Sequence, residues 1–120
     1  RSGADLAKLH QILTHATGDC VAVRTRFPVP GVVPDSPASN GWAPGFMTDL
    51  MAKDLDLAMA HAGRVGVELE TTPLARRRLG QASAAGFGRE DFSALAKVVL
   101  GRTAAGVEGP EGGERRGAGG

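Results

Sequence analysis

The run Gly45-Phe46-Met47-Thr48-Asp49-Leu50-Met51-Ala52-Lys53-Asp54-Leu55-Asp56-Leu57-Ala58 reads as a helix that is apolar around most of its circumference. An adjacent cation and anion, Lys53 and Asp54, interrupt it. At about 100° per residue, Phe46, Leu50, Lys53 and Leu57 fall within roughly a 60° sector. A lysine in line with a phenylalanine and two leucines is expected away from solvent. An ammonium there needs a partner or a ligand, because burying it alone is costly. Such a conflict between local pattern and local chemistry is where a functional site is expected.

Helices flank this run on both sides. Ser2 and Asp5 form a start signal for a helix from about Gly3 to Thr17 with a stripe of Leu6, Leu9, Ile12, Leu13 and Ala16. Gly18 is positioned to end it in a left-handed conformation. The central helix extends from Phe46 to about Val65. Asp49, Asp56 and Gly63 mark a narrow outer face, and Met47, Met51, Leu55, Met59 and Ala62 a second apolar sector. Apolar on two sides, it is predicted to be surrounded by other helices. Thr72 and Pro73 announce a third helix that buries Leu74, Ala75, Leu79, Ala82 and Ala85 and ends at Gly86. A fourth runs from Arg89 to Leu100, with Glu90 and Asp91 in its first turn, favourable to the helix dipole, and Gly101 as its stop.

Residues 19–44 carry Pro28, Pro30, Pro34, Pro37 and Pro44, a density that excludes a long helix or a central strand. The apolar Val29-Pro30-Gly31-Val32-Val33-Pro34 predicts an ordered crossover. Cys20 to Arg24 is open between an extended segment and a short helix. The fold class is all-α: four main helices plus an ordered Pro-rich crossover in a domain over 1–101. Residues 102–120, rich in Gly, Ala, Glu and Arg, read as a disordered tail.

Composition narrows function by exclusion. A net charge of +1 with 22% charged residues is neither a nucleic-acid nor a membrane signature. The single Cys20 rules out an internal disulfide, reads as plain packing and fits a reducing, cytoplasmic compartment. No metal site is expected: His10 and His15, five residues apart, point roughly 140° away from each other on a helix. Motifs for a serine or cysteine nucleophile are absent from the sequence. The consecutive Arg76, Arg77 and Arg78 fan around their helix and read as a solvated face with one or two salt bridges. With no initiator methionine before its first helix signal, the chain reads as a piece of a longer polypeptide. On pattern alone, Lys53 and Asp54 remain open between a salt bridge to another helix and a ligand-facing pair.

Gly45-Phe46 followed by Leu50-Met51-Ala52-Lys53-Asp54-Leu55 resembles the C-terminal signature of the 3-hydroxyisobutyrate dehydrogenase family. Three further segments agree in order: Ala16-Thr17-Gly18-Asp19-Cys20, Pro28-Val29-Pro30-Gly31-Val32 and Gly86-Phe87-Gly88-Arg89-Glu90-Asp91-Phe92-Ser93. Together the resemblance covers about residues 3 to 100. Phe27 stands where the family usually has Asn. The resemblance implies the helical C-terminal domain found in 6-phosphogluconate dehydrogenase-like enzymes. It implies a reaction that oxidises a small 3-hydroxy acid to a semialdehyde by hydride transfer to NAD or NADP. It places Lys53 and Phe46 at the cofactor and Asp54 in the substrate pocket. It implies an N-terminal Rossmann domain as partner and a homo-oligomer. The family's Gly-rich fingerprint, substrate-gripping loop and catalytic lysine have no counterpart here, and Lys8 is not a substitute, so no catalytic residue is assigned in this chain. The alternative is a non-catalytic helical interaction or dimerisation module that keeps the fold.

Overall fold

Among the described residues the largest side chains that are fully buried are polar: Thr48, Asp91 and Ser36. In the computed structural model, which describes residues 3–101, the elements around them are all helical. They are α1 (Leu6–Thr14), α2 (Val21–Thr25), α3 (Thr48–Val65), α4 (Thr71–Ala82) and α5 (Leu95–Val99), with 3-10 turns at Pro37–Ser39 and Phe92–Ala94. An isolated antiparallel bridge between Met47 and Asp91 is the only β pairing among the described residues. The proposed tail lies outside them.

The all-α expectation holds, and several boundaries move. Asp5, not Ser2, caps α1, accepting from the backbone of Ala7 and Lys8 at 3.0 and 3.1 Å. That helix stops at Thr14 with His15 as its cap, so Gly18 does not end it. The stretch after Cys20 resolves as the short helix α2. Exposed Cys20 caps it through a long contact from Val23 N to Sγ at 3.5 Å, rather than packing inside. Helix α4 starts at Thr71, ahead of the expected Thr72 cap. It widens into a π-turn over Ser83–Phe87, with Gly86 at φ 94°. The last helix begins only after Asp91, which caps the 3-10 turn before it.

Helices α3 and α4 form the principal contact. It is made by small residues: Ala52, Ala62 and Ala82 are buried, with Leu79 and Phe87 supplying most of the apolar volume. Asp49, Asp56 and Gly63, expected to be outermost on α3, are exposed, with both aspartates at the rim of this contact. Asp56 accepts from Arg76 Nε of α4 at 2.8 Å, and Asp49 N donates to Gly88 O at 3.0 Å. Conversely Leu74, expected inside, is 48% exposed. Alanines let the helix backbones approach, and the carboxylate reaches a guanidinium across the rim.

Asp91 joins these parts. Its Oδ2 accepts from Phe46 N at 3.0 Å and Arg26 Nε at 3.3 Å, and its Oδ1 from Ser93 N at 3.1 Å and Ser93 Oγ at 2.7 Å. Backbone bonds double the junction: Thr48 N to Glu90 O at 2.8 Å, Phe92 N to Phe46 O at 2.8 Å, and Asp91 N to Trp42 O at 3.2 Å. One carboxylate thus ties α2, the entry to α3 and the entry to α5. Burial pushes the Asp91 carboxyl up. The bonds from Ser93, Phe46 and Arg26 outweigh it and hold the group below the usual carboxylate range.

The sign of the pH effect follows. The unfolded carboxyl titrates at about 3.9. The folded one titrates lower, so its contribution is complete above about pH 4 and is lost as pH falls through the folded value. Denaturant titrations from pH 6 to pH 2 are expected to show this loss, with Asp91→Asn flattening it. At neutral pH, Asp91→Asn is expected to cost about 2–4 kcal/mol, because the bonds and the pairing with Arg26 are broken inside the fold. A Cβ at Gly45 would lie 3.1 Å from Arg26 Nη2 and 3.2 Å from Asp91 Oδ2. Gly45→Ala is therefore expected to lower stability by about 1–2 kcal/mol in the same assay, as overpacking does.

Candidate functional site

Phe46 precedes α3 rather than riding on it, because the helix starts at Thr48. Its place is set by the Asp91 junction and by an edge-to-face contact with Phe92, centroids 6.2 Å apart at 77°. The ring is half-buried. The helical sector therefore consists of Leu50, Lys53 and Leu57, with Phe46 at its head by a different device.

That sector is open. Leu50 is 37% and Leu57 60% exposed, and the Lys53 side chain is 56% exposed. The expectation of a lysine away from solvent is not met in this chain. Helix α3 uses its Ala52 and Ala62 side against the rest of the fold, so the Leu50–Lys53–Leu57 side remains at the surface. Nor does Lys53 bridge to another helix: its Nζ donates to the adjacent Asp54 Oδ1 at 2.6 Å. In water such a pair contributes about 0–1 kcal/mol, so it does not explain the motif by stability. With one ammonium proton directed at Asp54, the other two donors of Nζ are available to an acceptor.

Beside Lys53, between α3 and α4, lies a depression of about 450 Å³ bounded by Asp49, Ala52, Asp56, Arg76 and Ser83. A second, more apolar groove of about 750 Å³ runs between α2 and α5, bordered by Val23, Phe27, Val29, Leu95, Ala96 and Val99. Together with Leu6, Leu9 and Ile12 of α1, all exposed, it gives the chain two apolar faces with little cover of their own. His10 and the Pro28–Pro30 segment belong to this framework. The His10 ring packs on Phe27 at 4.8 Å and its Nε2 bonds Val23 O at 3.1 Å. Among the described residues there is no group of three His, Cys, Asp or Glu side chains placed to hold a metal, and no helix is long and apolar enough to cross a membrane.

Asp91, expected only to favour a helix dipole, instead organises the Phe46 position. The available signal was the pairing of Asp91 with Ser93, the spacing of an aspartate that caps its own turn.

Comparison with known proteins fits this geometry. Residues 1–99 match the family described as NAD-binding of NADP-dependent 3-hydroxyisobutyrate dehydrogenase. A solved structure of Mycobacterium tuberculosis 3-hydroxyisobutyrate dehydrogenase with L-serine superposes with a TM-score of 0.75 at 41% identity, over 81% of this chain and 33% of that one. The 3-hydroxyisobutyrate dehydrogenase of Pseudomonas aeruginosa is 38% identical over 85% of this chain and 35% of its own length. The mouse mitochondrial enzyme is 38% identical over 79% and 28%. The chain thus spans about a third of the length of the relatives it matches. A match over nearly all the helical residues, in order and with the same fold, makes this chain a member of the 3-hydroxyisobutyrate dehydrogenase NAD-binding domain family.

Proposed function

We propose that this chain is the helical, cleft-closing part of an NAD(P)-dependent oxidoreductase that converts a small 3-hydroxy acid to its semialdehyde. The carrying observation is the solvent-open face of α3. An ammonium with donors to spare stands there between leucines, below a half-buried phenylalanine. Those groups suit one wall of a nicotinamide site. Lys53 offers charge-assisted bonds to ribose hydroxyls or a carboxamide oxygen. Phe46 offers an apolar edge to a flat ring, and Asp54 keeps the ammonium oriented from the substrate side. The bound NAD(P) supplies the hydride acceptor. Lys53, Phe46 and Asp54 then bind, orient and exclude water, and the hydroxyl proton leaves to a base outside these residues.

The open leucines also suit association with a nucleotide-binding Rossmann domain, which would cover the face and supply the opposite wall. A Gly-x-Gly-x-x-Gly run, the usual pyrophosphate loop, does not occur in these 120 residues. A homo-oligomer in the cytoplasm completes the proposal. The alternative, a helical interaction module without chemistry, is favoured only by the same open apolar faces.

Two outcomes are expected. The purified 120-residue chain should not reduce NAD(P) in the presence of 3-hydroxyisobutyrate, and measurable turnover would refute the division of labour. In the complete dehydrogenase, Lys53→Ala should lower kcat/KM by an amount equivalent to about 2–4 kcal/mol, the loss of a charge-assisted contact. Unchanged steady-state kinetics would return Lys53 to a surface salt bridge.

A further inference from the structure

We infer that Lys97, far from Lys53 in sequence, is a positioning residue for the same face: it clamps the turn that aims Phe46. The inference rests on the proposed role of that face and extends it to a second, internal lysine.

Lys97 lies on α5 and its side chain is only 13% exposed. Its Nζ stands 4.8 Å from the centroid of the Trp42 ring and 4.6 Å from that of Phe87, and donates to Glu90 Oε2 at 2.5 Å. A desolvated cation between two aromatic rings, neutralised by one carboxylate, is a strong contact for its size. Each of the three groups it touches belongs to a different segment: the turn before α3, the π-turn that ends α4, and the run leading into α5.

Trp42 is the segment that needs holding. Among the described residues it is the one non-glycine with positive φ, at 61°. A bulky side chain in that region is strained and persists only where surroundings enforce it. Its N donates to Pro37 O at 2.7 Å, and its carbonyl accepts from Asp91 N at 3.2 Å. Asp91 in turn receives Phe46 N, and Glu90 O receives both the Thr48 amide at 2.8 Å and the Thr48 hydroxyl at 3.2 Å. Lys97 therefore bears on Phe46 from two directions: through the Trp42 carbonyl and through Glu90. Removing its charge frees Trp42 to relax toward negative φ. The carbonyl then turns away from Asp91, and the backbone that carries Phe46 loses one of its fixed points.

Trp42 is the only tryptophan in the sequence, so its fluorescence reads the clamp directly. In the 120-residue chain, Lys97→Met should shift the Trp42 emission and raise its quenching by acrylamide. Lys97→Arg, which keeps a cation over the rings, should leave both close to wild type. An unchanged Trp42 signal in Lys97→Met overturns the clamp whatever the chain does. In the complete dehydrogenase, Lys97→Met should raise KM for NAD(P) about three- to tenfold, with kcat moving less and Lys97→Arg restoring most of the loss. A changed Trp42 signal with unmoved KM, in a protein where Lys53→Ala does raise KM, overturns the positioning role. If Lys53→Ala leaves KM unmoved as well, what fails is the assignment of the α3 face, and with it the extension to Lys97.

Discussion

A single buried carboxylate organises this domain. Asp91 has no solvent exposure, yet its two oxygens accept four hydrogen bonds, one of them from the Arg26 guanidinium. An isolated carboxylate at that depth would be strongly disfavoured. Saturated with donors, it becomes a joint whose geometry is fixed by the directions of its partners. The joint is economical in sequence: Arg26, Phe46, Asp91 and Ser93 come from three separated segments. Local bonds alone could not position the entry of α3, because Met47 at the helix N-cap makes no side-chain capping bond. Among the described residues no buried side-chain nitrogen or oxygen is left without a partner, so the polar centre is complete.

Helix positions and the all-α class were legible from periodicity, because a stripe such as Leu6, Leu9 and Leu13 repeats with the helical period whatever covers it. What periodicity could not give was which stripe faces inward. On α3 the rule that apolar residues point to the core inverts. Alanines and a carboxylate meet α4, while Leu50 and Leu57 face out. The pattern is amphipathic with respect to something other than this chain's own core. The pattern predicted a buried ammonium, and the structure has an exposed one.

The Pro-rich crossover shows the opposite balance. Its proline density told what it could not be, and its apolar content that it would be ordered. Its internal fastening was not legible. Ser36 and Ser39 bond each other at 3.1 Å and both reach Val33 O, and Asn40 Nδ2 reaches Pro34 O at 2.8 Å. Short polar side chains that bond nearby backbone build such loops, and single-sequence statistics see them only as turn formers. Trp42, with its positive φ, lies at the end of this crossover, just before Phe46, so the loop hands its geometry directly to that residue.

The polar centre also has a thermal consequence. Heat capacity of unfolding rises with apolar surface exposed and falls with polar surface exposed. Here the largest fully buried side chains are Thr48, Asp91 and Ser36, and five of the eight buried apolar residues are alanines. Apart from Leu79, the leucines and valines among the described residues already stand partly in water. A fold built this way gains little heat capacity on unfolding, which flattens its stability against temperature. The stability of the helical part then changes slowly across the working range, while any contact made by the open leucines of α3 follows the steeper temperature dependence of apolar burial.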